Sequence, residues 1–442
     1  METLTVWYLL VGVLLISMGL AESLLQRLPL SPAMFYLPIG YFVGPAGLGL
    51  LQLDLHQHAE SLAIVCEVAL LVSLFSVGLK LRVPFNDRIW RLPLRLGIVA
   101  MLITITMLTA VGWYALGLSL GAAILLAAIL APTDPILASD VQIKDVGDRD
   151  GIRFSLSGEG GMNDGTTYPI VMLGLGLLAV PQASTYATPW GFALAFWGIK
   201  AGAGSGLVSG WAVGRLVIYL RRHFRTALGM EEFLTLGLIA LSYGFATLIH
   251  GIGFVAVFAT GVAMRRIEWR ASGDSEPRSV IASTLEKGRE EVATDVESAP
   301  AYMTEMVLGF NKQLENIAEF VMVLLLGVLL SGSGFSVEGM FLALLLFIVI
   351  RPVSVLLSLI GYKKSLMQTG LLAWFGIRGI GSLYYLMFVL QYNALHQQSD
   401  RFVSIVLTVI AMSVVIHGIS STPLMDWYYR RQARRGAQAR DA

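Results

Sequence analysis

Apolar runs of about twenty residues recur along almost the whole chain, and no other feature narrows the fold as far. A helix needs about 20 apolar residues to cross a hydrocarbon core ~30 Å thick. Inside that core every backbone N–H and C=O must be satisfied by the protein itself, so repeated runs of this length mean a bundle of spanning helices. The runs cover residues 4–26, 30–50, 60–80, 93–117, 119–141, 152–180, 187–221, 231–250, 252–267, 314–331, 337–361, 366–391 and 402–426, or about thirteen spans. Charged residues make up 14% of the chain, against about 25% in a soluble domain, and mean hydropathy is +0.71. The expected class is an all-α polytopic membrane protein. Residues 1–25 carry Glu2 and no basic leader, so no cleaved signal peptide is expected. The lone Cys66 lies in an apolar run and can form no internal disulfide.

Orientation follows from lysine and arginine, which accumulate on the cytoplasmic side. With the N-terminus outside and the C-terminus cytoplasmic, all but a few of the 31 basic residues fall in inside segments. Arg401 falls in an outside loop, and Lys200, Arg351 and Arg378 fall within spans. Removing one span would flip every later loop and destroy this asymmetry, so an odd number of spans is expected. The long inside loop covers 268–313. Within it, 271–300 is polar and mixed in charge and reads as a linker, while 301–313 is expected as a short interfacial helix. Residues 428–442 form a short basic tail, expected to anchor beside anionic lipid. A bacterial inner (plasma) membrane is the expected location.

Two spans are interrupted. Pro132 and Pro135 break the fifth, and the glycine-rich stretch from Gly376 to Gly381 breaks the twelfth. Lying an odd number of spans apart, the two run in opposite directions. Interrupted helices at matching places in two halves point to inverted repeats with a binding site between them. The transmembrane domain, 1–427, would then divide into repeat one (1–180), a linker helix (187–221) and repeat two (231–427).

Asp134, Glu159 and Asp164 lie beside or within these spans, where hydropathy predicts lipid. A carboxylate at that depth costs about 2.5–3.5 kcal/mol even on the lenient insertion scale, so each is a candidate functional group. Asp164 lies about twelve residues into its span, or roughly 18 Å deep. Thr133, Asp134, Asn163 and Asp164 together would make an oxygen-rich pocket suited to a hard monovalent cation such as sodium, held at Asp164, Asp134 and Thr133. A buried carboxylate also holds a proton, because burial and a neighbouring carboxylate both disfavour the charged form. Proton and cation then compete for one group, which is sufficient for exchange. Glu159 lies about 7.5 Å from Asp164 along the same helix and on another face. Arg351 reaches a compatible depth, and a structural Glu159–Arg351 ion pair is expected, with direct ligation by Glu159 the alternative.

Other residues are less determined. Glu67 reads as part of the ion path or a peripheral ligand, or else as a polar contact between helices. Arg378 would complement the half-helix ends or balance the carboxylates. Lys200 is expected to snorkel or face lipid. Glu315 and Glu319 read as interface charges, with gating or pH sensing the alternative. The histidines are scattered and suggest no metal cluster, and the glycines of the seventh span suggest close helix packing, within or between protomers.

Thr133-Asp134-Pro135 and Asn163-Asp164, followed in order by Gly253–Gly261, Arg351-Pro352 and Trp374–Gly379, resemble the monovalent cation:proton antiporter superfamily over nearly the full length. The closest branch is that of the sodium/proton exchangers with an Asn-Asp pair. The resemblance implies two inverted six-helix repeats with crossed interrupted helices, a homodimer and elevator-type alternating access. It carries the ion-binding aspartate to Asp164, the unwound-helix ligands to Asp134 and Thr133, and the structural ion pair to Glu159 and Arg351. Asn163 implies electroneutral exchange, since the electrogenic branch carries a second aspartate there. Gly160 departs from the pattern, which often places a serine ligand at that position. The absence of a large domain after the last span argues against a nucleotide-gated potassium-efflux system. The reading is a sodium (or lithium)/proton antiporter, with potassium/proton exchange as the alternative and a passive cation channel or membrane sensor as the rival from another class. No enzyme motif is present, no cofactor is expected beyond the transported cation, and the expected partners are lipid and a second copy, not nucleic acid.

Overall fold

The computed structural model describes residues 30–84, 87–143, 148, 150–224, 231–272, 292, 299–362 and 364–438, with scattered positions among the first twenty. The expected first span, 4–26, lies largely outside the described residues, as does the polar linker 271–300.

Helices begin where a side-chain oxygen can take the first free amides and stop where proline or glycine intervenes. Ser119, Asp150, Ser336 and Ser365 each accept a backbone N–H at a helix start, at 3.4, 2.9, 3.1 and 3.2 Å. The described helices are α1 (Ala33–Val43), α2 (Leu55–Lys80), α3 (Arg88–Tyr114), α4 (Leu120–Leu130), α5 (Gly151–Leu177), α6 (Trp190–Phe224) and α7 (Glu231–Leu248). They continue with α8 (Gly253–Ser272), α9 (Ala299–Ser333), α10 (Val337–Ser358), α11 (Leu366–Trp374), α12 (Ile380–Leu390) and α13 (Ser399–Gln438). Six of them, α2, α3, α6, α9, α10 and α13, are long and apolar enough to cross a membrane unaided among the described residues. The usual soluble pattern is inverted: Phe192, Trp197, Ile348 and Ile360 face outward, while Asp134, Glu159, Asp164, Arg351 and Arg378 are buried.

The helices α3–α5 and α10–α13 form two matching halves. Each half opens with a helix containing a π-helical stretch, Arg95–Ala100 in α3 and Leu346–Ile350 in α10. Four residues beyond each stretch lie Thr104 and Ser354, whose hydroxyls hydrogen-bond to each other at 2.9 Å. Each half then has an interrupted span: α4 stops at Leu130 before Pro132, and α11 stops at Trp374 before α12 resumes at Ile380. The inverted, interrupted repeats expected from the sequence are present.

The second group comprises α1, α2 and α6–α9. Along α6, Gly202, Gly206 and Gly210 abut the backbone of Ile252, Ala256 and Thr260, so this glycine stripe packs within the protomer against α8 and its N-terminal edge. Thr260 Oγ1 donates to Gly206 C=O at 3.0 Å in the same contact. At the end of the bundle richer in arginine and lysine, Arg82 donates twice to Glu268 at 3.0 Å, and Arg265 reaches Glu305 at 3.0 Å and Glu268 at 3.3 Å. Together with Lys80–Glu315 at 3.0 Å, these pairs tie α2, α8 and α9.

Two expectations are corrected, for 301–313 and for 30–50. Residues 301–313 are not a separate interfacial helix but the first turns of α9, because Met303, Thr304, Val307 and Asn311 are buried and keep the helix continuous. Helix α13 continues through the start of the basic tail, as far as Gln438. Tyr428 is buried and donates to Asp150 at 2.8 Å, and the Arg153 guanidinium lies 5.0 Å from the Tyr429 ring. The run 30–50 is helical only over α1, because Gly44 begins a turn after Val43.

A Cβ at Gly206 would overlap the Ala256 carbonyl. Gly206→Val should therefore lower stability by about 1–3 kcal/mol through overpacking against a backbone that cannot rotate away. A thermal unfolding midpoint in detergent equal to wild type would contradict the close α6–α8 contact.

Candidate ion-binding site

The two interruptions meet. Pro132 and Pro135 lack amide hydrogens, so the chain after α4 cannot continue its helical ladder. Asp134 N–H instead donates to Ile377 C=O, in the gap between α11 and α12, at 2.8 Å. The Asp134 carboxylate accepts from Ile136 and Leu137 N–H at 2.7 and 3.0 Å, and from the N–H groups of Ile380 and, at 3.4 Å, Gly381. It thus caps the start of α12, where the helix dipole favours negative charge. Arg378, fully buried in the same gap, donates through Nη1 to Ala131 C=O at the end of α4. A carboxylate sits on a helix start and a guanidinium on a helix end, each supplied by the other interrupted span.

Asp164 lies on α5 and is fully buried. Both of its carboxylate oxygens are buried without a hydrogen-bond partner, as is Asn163 Oδ1 beside it. The Asn163 amide donates to Thr133 Oγ1 at 2.8 Å, joining α5 to the break after α4. A Cβ on Gly381 would stand 2.5 Å from Asp164 Oδ1, so only glycine lets the start of α12 approach this closely. The same Gly381 N–H faces Asp134, so one helix start lies between the two carboxylates. Tyr385, one turn on, donates to the Asp164 carbonyl at 2.5 Å.

Glu159 and Arg351 stand in a bidentate pair, with Nη1–Oε1 at 2.5 Å and Nη2–Oε2 at 2.9 Å. Arg351 Nη2 also reaches the carbonyls of Leu372 and Phe375 at 3.2 and 3.1 Å. The pair therefore links α5, α10 and the end of α11, and both oxygens of Glu159 are engaged by it.

Glu67 lies on α2 and accepts from the Tyr243 hydroxyl. Both line a cavity of about 480 Å³ at the end of the bundle opposite the arginine-rich one, together with Tyr168, His250, Phe254 and Tyr384. Phe254 packs edge-on against Tyr384 at 5.2 Å, and the next residue, Tyr385, reaches Asp164. Lys200 is exposed over the Phe196 ring at 4.1 Å, and Glu315 is paired with Lys80. Gly160 faces the first break: a Cβ there would lie 3.4 Å from Thr133 C=O and 3.4 Å from Gln142 Nε2.

The structure thus gathers Thr133, Asp134, Asn163, Asp164 and Arg378 at the crossing, and sets Glu67 apart in the cavity. Asp134, expected as a ligand, has the roughly four acceptor sites of a carboxylate taken by four backbone amides. Sequence reasoning missed Tyr385, Gly381 and the buried, unpartnered hydroxyl of Ser382. The available signal was position, since all three open the helix that follows the glycine-rich break.

A membrane bundle whose two interrupted helices cross beside a buried, unpartnered carboxylate is the architecture of an ion-coupled transporter. The chain belongs to the sodium/hydrogen exchanger transmembrane family, which it matches over residues 12–427. It is therefore a cation/proton antiporter of the membrane and not an enzyme. It is 24% identical over 432 residues to the K(+)/H(+) antiporter NhaP of Alkalimonas amylolytica, across 97% of this chain and 67% of that protein. In fold it is similar to the sodium proton antiporter MjNhaP1 of Methanocaldococcus jannaschii at pH 8, with a TM-score of 0.69 at 18% identity, covering 96% of this chain and 98% of that one. An electron-microscopy structure of MjNhaP1 is similar at the same TM-score of 0.69, covering 95% and 96% of the two chains.

Removing one partner of a buried ion pair strands the other charge. Arg351→Ala should cost about 3–5 kcal/mol of stability, and Arg351→Lys should restore only part of it, because one ammonium cannot replace the bidentate fork. Thermal unfolding in detergent reads both. A midpoint unchanged in Arg351→Ala would show that the pair does not hold these helices together.

Proposed function

We propose that this protein exchanges sodium (or lithium) for a proton, one for one, with both competing for Asp164. The observation that carries this reading is the Asp164 carboxylate, buried with both oxygens unpartnered while its neighbours are committed. Glu159 is neutralised by Arg351 and Asp134 is saturated by amides, so Asp164 is the carboxylate left to bind a cation or a proton. Asn163 Oδ1 and the Thr133 hydroxyl supply neutral oxygen beside it. Asp134 adds negative charge and fixes the helix start. Because Asn163 is an amide, no second carboxyl at that position takes up a proton, and exchange is electroneutral.

Movement follows the elevator scheme, with α3–α5 and α10–α13 carrying the site past the other helices. Its support is the contact flanking Asp164, where Gly161 and Gly165 of α5 meet the apolar residues Phe258 and Val255 of α8. The cavity at Glu67 and Tyr243 is the outer approach to the site. The N-terminus lies outside, the C-terminus lies in the cytoplasm, and the protein works as a homodimer in a bacterial inner membrane.

Potassium/proton exchange is the second reading. A relative bearing that activity in its name aligns over 97% of this chain. Gly160 moreover offers no side-chain oxygen where one would shape a tighter site.

Proton flux in proteoliposomes, on addition of sodium and then potassium, tests both. Sodium-driven flux that persists when valinomycin and potassium clamp the voltage, and that falls to the protein-free baseline in Asp164→Asn, is the expected result. Flux with potassium alone would replace the cation and keep the site. Wild-type flux in folded Asp164→Asn would remove Asp164 from the mechanism, and current without proton movement would replace the antiporter by a channel.

A further inference from the structure

The gap between α11 and α12, Phe375–Gly379, is five residues of non-helical backbone in the buried core. Each polar group there needs a partner, because an unsatisfied one costs several kcal/mol away from water. Several partners belong to the site already described. Arg351 takes the Phe375 carbonyl at 3.1 Å, and Asp134 N–H takes that of Ile377 at 2.8 Å. Gly376 N–H turns back to Trp374 C=O at 2.9 Å and Gly379 C=O accepts from Leu383 N–H at 3.0 Å, while two further groups at the ends of the gap are held from α13. Ser413 Oγ accepts from Arg378 N–H at 2.7 Å, and His417 Nε2 lies 3.2 Å from Trp374 C=O. Ser420 Oγ takes the Trp374 indole N–H at 2.9 Å. Positions 413, 417 and 420 are spaced by four and three, so one face of α13 carries all three.

His417 Nδ1 lies 3.0 Å from Ser413 C=O and 3.2 Å from Ser413 Oγ, and Nε2 lies 3.2 Å from Trp374 C=O. Ser413 Oγ, which accepts from Arg378 N–H, therefore also touches the ring that reaches Trp374, and the two side chains together bridge the ends of the gap. The ring is fully enclosed, edge-on to Phe347 at 5.0 Å. We infer that Ser413 and His417 are positioning residues that clamp the two ends of the gap to one rigid helix, and so set where α12 begins against Asp134 and Asp164.

The clamp matters because the groups inside it build the crossing. Arg378 caps α4, Ile377 C=O holds Asp134 N–H, and Ile380 and Gly381 carry the amides that face the carboxylates. If the gap lengthens or rotates, Gly381 no longer fits against Asp164. The inference rests on the reading of Asp164 as the shared binding group. It adds α13, which supplies no group to the Asp134 or Asp164 carboxylates, as the element that sets the site's geometry.

The test is apparent KM and maximal rate for proton flux driven by sodium and by potassium in proteoliposomes. It compares His417→Phe, His417→Gln, Ser413→Ala and the Ser413→Ala/His417→Phe double variant. Each is checked for folding by thermal unfolding and gel filtration. His417→Phe keeps the ring volume and loses both polar links, and should raise apparent KM roughly tenfold with maximal rate little changed. His417→Gln keeps an N–H for Trp374 and should recover most of that loss. Ser413→Ala should raise apparent KM about threefold, and the double variant should fall short of the product of the two single effects, because the two side chains are in direct contact. Wild-type KM in folded His417→Phe would overturn the clamp, as would a lower unfolding midpoint with no change in KM, or equal defects in the Gln and Phe variants. Should His417→Phe not fold, wild-type KM in Ser413→Ala overturns it. Exchange persisting in Asp164→Asn would instead overturn the reading of the site, whereas an inactive Asp164→Asn beside an unaffected His417→Phe would remove the clamp alone.

Discussion

The structure depends on how two broken helices satisfy their ends away from water. A helix interruption leaves free N–H groups on one side and free C=O groups on the other, and lipid offers partners for neither. Here each break supplies the charge that the other needs. Asp134, from the first, takes the amides at the start of α12, and Arg378, from the second, takes the carbonyl at the end of α4. Because each cap lies on the opposite strand of the crossing, the repeats cannot part without exposing both ends. The Thr104–Ser354 hydrogen bond and the paired π-helical stretches show the same twofold relation one layer out.

Charge accounting then isolates one residue. Burying several carboxylates and guanidiniums together is tolerable only if each finds a partner. Glu159 and Arg351 neutralise each other, Asp134 is spent on a helix start, and Arg378 gives Nη1 to a helix end while its Nε and Nη2 stay buried without a partner. Asp164 is left with both oxygens unpartnered at the same helix start. Asp134 has used its lone pairs on backbone amides and Asp164 has not, and the proposed exchange at Asp164 rests on that distinction.

Much of this was legible in the chain. Apolar run lengths give the spans, prolines and glycines give the breaks, and depth along the helices brings Glu159 and Arg351 to one level. Legibility failed where amphipathic stretches continue a helix beyond its apolar run. Residues 301–313 and 428–438 are polar enough to read as interface and tail, yet each extends a helix because its buried face, with Met303 and Asn311 in one case and Tyr428 in the other, packs on neighbours that hydropathy cannot see. The helix-capping role of Asp134 was not legible for a related reason: a carboxylate beside a proline break gives no sign of the amides brought to it from Ile380 and Gly381.

By itself the sequence determined that the chain spans a membrane as inverted, interrupted repeats with acidic residues at its centre, because hydropathy, proline and glycine act locally and at fixed spacing. Tertiary structure alone decided which of those acidic residues is free. That choice depends on hydrogen bonds between segments far apart in the chain, such as Arg351 with the Glu159 carboxylate and Ile380 N–H with that of Asp134. No local pattern encodes which backbone amide will arrive at which carboxylate.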